Sequence, residues 1–131
     1  MKFVAENVPA GILPRPAGFR LLLAPVVIED VSRGGIVIPG SAIEVLEYFR
    51  NIAKVIAVGD DCYKHPKFQG GVDITVREPI PWCRVGDIVS YSSYTGADLM
   101  IIYEGEKHKL KFINDDEVVS VITDTSILNF T

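Results

Sequence analysis

Apolar residues fall along this chain in short runs, separated by glycines, prolines and pairs of charged residues. Phe19–Ile28 is dense in Leu and Val, which predicts a buried strand whose second half Pro25 pushes to an edge or a bulge. Ile52–Val58 is rich in β-branched residues and ends at Gly59–Asp60. Val72–Val76 follows Gly70–Gly71, and Asp87–Tyr91 follows Val85–Gly86, so each reads as a strand after a turn. Leu99–Tyr103 and His108–Phe112 flank Glu104–Gly105–Glu106–Lys107, a hairpin pattern. His108, Leu110 and Phe112 alternate with Lys107, Lys109 and Lys111, so one face of that strand is wet. Glu117–Ile122 and Ile127–Phe130 complete a set of short strands that predicts an all-β barrel or sandwich. The single helical pattern begins at Ser41 and Glu44, a capping box, and continues through Ala42, Val45, Leu46 and Phe49, predicting a short helix over Ala42–Arg50. Met1–Pro14, with Pro9, Gly11 and Pro14, reads as an arm denied regular pairing.

Composition narrows the function classes. With 131 residues the chain has the size of one domain, and 48% hydrophobic and 23% charged residues are ordinary for a globular protein. A net charge of −4 with scattered Lys and Arg leaves no footprint for nucleic acid. The longest apolar stretch, Leu21–Ile28, is interrupted by Pro25 and too short to span a bilayer. The N-terminus lacks the continuous apolar core of a signal peptide, which predicts a cytoplasmic protein. Cys62 and Cys83 form neither a zinc spacing nor a CxxC and read as reduced thiols. His65 and His108 stand apart without ligand spacing, while Asp60–Asp61 and Asp115–Asp116–Glu117 read as solvated turns. Nothing here assembles a catalytic set, a metal site or a cofactor site.

The unusual segment is Gly34–Gly35–Ile36–Val37–Ile38–Pro39–Gly40: three large aliphatics framed by glycines. It reads either as a short core strand or as a flexible loop carrying an apolar hook. In the second case each aliphatic docked into a partner gains about 1.5–3 kcal/mol, much of it offset by ordering the loop. A ring of such hooks would bind by avidity, about 10²–10⁴ above one hook.

These residues resemble a family, the GroES-type co-chaperonins, over most of the chain after Arg15. Arg15–Pro16 with Arg20–Leu23 resembles its opening R-P-x-x-x-R-V-x-V strand, and Ser32–Pro39 resembles its S-x-G-G-I-V-L/I-P mobile loop. Ala53–Gly59 is similar to the strand after that loop, Val85–Val89 to V-G-D-x-V, and Tyr94 with Gly96 to the turn that follows. Glu117–Val121 and Asp124–Leu128 resemble its closing segments. The resemblance implies an irregular antiparallel β-barrel of the GroES type, with residues 1–14 as an arm, a mobile loop and short helix at 29–51 and an enlarged roof excursion at 60–84. It also implies a cyclic homo-oligomer of seven that caps a GroEL-type chaperonin in its nucleotide-bound state and encloses an unfolded client. By the same resemblance the chaperonin would bind and hydrolyse ATP, and this chain would be the lid, without a cofactor. Gly34, Gly35, Ile36, Val37 and Ile38 are then the chaperonin contact. Phe19, Leu21 and Leu23 would pair with Ile127, Leu128 and Phe130 of a neighbour, and Tyr94 would face the cavity. The enlarged segments are similar to those of bacteriophage-encoded members. Two other readings stand: a structural or assembly β-protein, and an enzyme domain of the same barrel type as in medium-chain alcohol dehydrogenases, although the chain lacks GxGxxG and a Cys-plus-His zinc set.

Overall fold

The computed structural model describes residues 2–27, 51–70, 78–92 and 94–128. The strands are β1 (Arg20–Pro25), β2 (Ile52–Val58), β3 (Gln69–Gly70), β4 (Glu78–Pro79), β5 (Ile88–Tyr91), β6 (Ala97–Tyr103), β7 (Glu106–Asn114) and β8 (Val118–Ile122). Six of them form one antiparallel sheet in the order β6-β7-β1-β2-β5-β8, and β3 pairs with β4 apart from it. The all-β fold therefore matches the expected GroES-like architecture, but the sheet stays open, with β6 and β8 as its edges.

The leucine run of β1 follows from its central position. A strand covered on both faces needs apolar side chains at consecutive positions, since neighbours point to opposite sides. Leu21 and Leu23 enter one core with Ala53, Val55, Val89, Tyr91 and Ile113, while Leu22 and Ala24 enter a second with Leu110. The pairing register with β2 shifts between Leu22 and Leu23, so the irregularity lies within the leucines and Pro25 ends the strand.

The β6–β7 hairpin turns on Glu104 and Gly105, both at positive φ (51° and 79°), directly after the Tyr103–Glu106 pair. Two left-handed residues give a turn whose twist suits the flanking strands. His108 and Leu110 are buried and Lys107 and Lys109 exposed, so the predicted wet and dry faces are both present. At the start of β6, Gly96 sits at φ +82°, and a Cβ there would lie 2.1 Å from the Phe112 carbonyl oxygen, a place open only to glycine.

Two expectations are corrected. The N-terminal arm is not unpaired: Phe3 bridges Val26, and Phe3, Ala5 and Val8 are buried in the second core. Thr125–Leu128 forms a 3-10 turn with Ile127 exposed, where a strand over Ile127–Phe130 was expected; Phe130 lies outside the described residues. Within the 60–84 excursion, Cys62, Tyr63, Phe68 and Cys83 belong to the first core. Gln69 pairs with Pro79 and Gly70 with Glu78, while the strand expected over Val72–Val76 and the helix expected over Ala42–Arg50 lie outside the described residues.

Candidate functional site

Gly34–Ile38 also lies outside the described residues, but both roots of the segment that carries it are on view. The leading root leaves β1 through Pro25, Val26 and Val27. Val26 donates its N–H to the Ile52 carbonyl at 3.0 Å, which ties the leading root to the returning one. The Asn51 carbonyl accepts the Tyr91 N–H at 2.9 Å, and Ile52 pairs with Ser90 on β5. The segment thus departs from and returns to adjacent strands of the rigid sheet.

The residues expected at a subunit interface separate into two groups. Leu21 and Leu23 have no exposed surface, and β1 is hydrogen-bonded to β2 on one side and β7 on the other. A strand with two partners has no free edge, so β1 cannot pair with a neighbour's strand and these leucines serve the subunit's own core. Phe19, just before β1, is half exposed, and the Arg20 guanidinium lies 5.8 Å from its ring centre. Ile127 is largely exposed, and Leu128 closes the 3-10 turn. Among the described residues the open backbone edges are those of β8, where Val119 is 71% exposed, and of β6, where Met100 and Ile102 are exposed. Residues 14–17, ahead of β1, carry no strand assignment or sheet pairing. Tyr94 stands in the turn between β5 and β6 with 97% of its surface exposed. The Thr95 side chain braces that turn by donating to the Ser92 carbonyl at 2.7 Å.

The base of the excursion is built by groups that the sequence pattern presented as turns and bland thiols. Tyr63 takes a left-handed φ of 61° and donates its N–H to Oδ2 of Asp115 at 2.9 Å. Asp115 is buried, Asp116 pairs with Lys67 at 2.6 Å, and Glu117 Oε1 accepts the Asn114 N–H at 2.8 Å. The acidic run is therefore a fastening between β7 and the excursion and not a solvated turn. The N-x-x-E spacing of Asn114 and Glu117 was the available signal. The Phe68 ring meets those of Tyr63 and Trp82 edge-on at 4.8 and 5.0 Å, and Trp82 keeps nearly half its surface in solvent. Cys62 and Cys83 are buried free thiols; Cys62 donates to the Arg20 carbonyl, and Cys83 Sγ lies 3.3 Å from the Tyr63 hydroxyl. Burial pushes the Cys62 thiol up to about 11 and raises that of Cys83 too, so both stay protonated and poorly nucleophilic at neutral pH. Beside this base a cleft of about 300 Å³ is lined by Phe19, Asp61, His65, Lys67, Phe68 and residues 114–116. Among the described residues no group of three or more His, Cys, Asp or Glu is placed to hold a metal, and no helix is long and apolar enough to cross a membrane.

Among the described residues, an open six-stranded antiparallel sheet whose central strands β1 and β2 are joined through the segment 28–50 defines a small all-β protein. The model of the family described as the chaperonin 10 kDa subunit matches residues 14–122, and the chain belongs to that family. It is 34% identical over 101 residues to the co-chaperonin GroES of Alkaliphilus metalliredigens, covering 77% of this chain and 90% of the relative. It is 32% identical over 108 residues to the co-chaperonin GroES of Clostridium botulinum, covering 82% and 95%. The family match ends at Ile122, at the end of β8, so the Asp124–Leu128 stretch that resembled a closing segment falls beyond it. The arm of residues 2–13 likewise precedes the match.

Proposed function

We propose that the chain is a co-chaperonin subunit that caps a GroEL-type chaperonin ring in its nucleotide-bound state and closes a chamber around an unfolded client. The observation that carries this reading is the family match over residues 14–122, with relatives named co-chaperonin GroES aligned over nine-tenths of their length. ATP hydrolysis belongs to the partner. Gly34–Ile38 supplies the contact: Ile36, Val37 and Ile38 enter an apolar groove, and the glycines let the backbone conform to it. Seven copies form the cap, head to tail, and the unpaired edge of β8 with the unpaired stretch 14–17 supports a join at those surfaces. Tyr94, projecting from its turn, is the candidate client contact, and the 60–84 excursion shapes the top of the cap.

The test is Ile36→Asp and Val37→Asp, read by co-sedimentation with a GroEL-type ring in nucleotide. A carboxylate entering an apolar groove loses several kcal/mol of hydration. The expected outcome is an intact ring that no longer caps. Undiminished capping by both variants would place the contact elsewhere.

A further inference from the structure

The N-terminal arm reaches the root of the chaperonin-binding segment and holds it. Val4 donates its N–H to the Pro25 carbonyl at 2.8 Å, Val27 donates to the Lys2 carbonyl at 2.8 Å, and Phe3 forms the antiparallel bridge with Val26 between them. In an extended chain the polar groups of successive residues point to opposite sides. Val26 spends its N–H on Ile52 of β2, while Pro25 and Val27 face the other way and are met by the arm. That side is vacant because β7 leaves β1 at the Leu23–Lys111 pair. The arm is itself anchored: Glu6 Oε1 accepts the Phe3 N–H at 2.9 Å, and Phe3, Ala5 and Val8 are buried with Leu22, Ala24 and Leu110.

We infer that residues 2–8 are a clamp, added outside the family-matched region, that extends the rigid sheet by two residues into the root of the 28–50 segment and thereby strengthens its grip on the chaperonin. The inference rests on the proposed role of Gly34–Ile38. A segment that docks must be ordered, and every root residue already fixed in the free protein removes its share of that cost. Unclamped, the Pro25 carbonyl and the Val27 N–H lose their arm-side partners, and the root keeps only the Val26–Ile52 bond.

The experiment compares the full chain with a variant lacking residues 1–8 and with Phe3→Ala, which leaves the backbone donors and acceptors in place but empties the buried anchor. Ring state is read by sedimentation, root order by amide exchange at Val26 and Val27, and affinity by titration of a GroEL-type ring in nucleotide. The expected result is an assembled ring, faster exchange at Val27, and about tenfold weaker binding for the deletion, with Phe3→Ala between it and the parent. If the deletion fails to fold, Phe3→Ala decides. Faster exchange with unchanged affinity overturns the clamp, as does unchanged exchange. Ile36→Asp run alongside separates the two readings: capping that survives Ile36→Asp sinks the loop assignment, whereas capping lost there but unchanged in the arm variants sinks only the clamp.

Discussion

At the scale of single residues, Asp115 carries more than its neighbours suggest. It holds the N–H of Tyr63, a non-glycine residue at left-handed φ, inside the first core. Such a backbone conformation persists only when its surroundings impose it. Asp115→Ala leaves a buried N–H without its acceptor and frees the strained residue, so a loss of about 2–3 kcal/mol is expected, measured as a lower urea midpoint. A midpoint unchanged from the parent would mean that Tyr63 is held by its ring contacts alone. Asp115 was illegible in the sequence for a physical reason: its partner is 52 residues away, and three consecutive acids otherwise read as hydration. The same holds for Phe3 and Val8, whose burial depends on a bridge to Val26 that prolines further along the arm seemed to forbid.

At the scale of elements, local pattern was informative wherever the structure is local. Ile52–Val58 forms a strand with the expected bounds, because its β-branched run ends against Gly59, whose Cβ would collide with the Gly18 carbonyl. The β6–β7 hairpin was legible from Glu104–Gly105 and the lysine alternation, though its strands run two residues further than expected at most ends. Glutamate is a poor residue at the first left-handed position of that turn, where asparagine is favoured. Glu104→Asn should therefore stabilise the protein by about 0.5–1 kcal/mol, read as a rise in melting temperature with unchanged capping. A fall in melting temperature would show that the Glu104 side chain has a role the turn does not explain. The start of the expected C-terminal strand is a 3-10 turn, because two adjacent apolar residues, Ile127 and Leu128, do not by themselves distinguish a strand from such a turn; Asp124 receives both the N–H and the hydroxyl of Ser126 and starts the turn instead.

At the scale of the whole molecule, the interior place of β1 bears on where the proposed ring would join. An edge needs unpaired backbone, and among the described residues β8 has it where β1 does not. Val119→Asp puts a charge on that edge without entering either core, so monomers with parental circular dichroism are expected in sedimentation. Truncation before Ser126 is the companion variant: ring loss there, with a complete ring in Val119→Asp, would assign the join to the tail.

The place of β1 has one more consequence, for how the chain is made. Its partner on the second side, β7, arrives about 90 residues later. During synthesis three consecutive leucines therefore wait, half covered at best, until nearly the whole polypeptide has left the ribosome. Long-range pairing of this kind is slow and leaves sticky intermediates. A subunit proposed to shelter other chains from that hazard runs it in its own biogenesis.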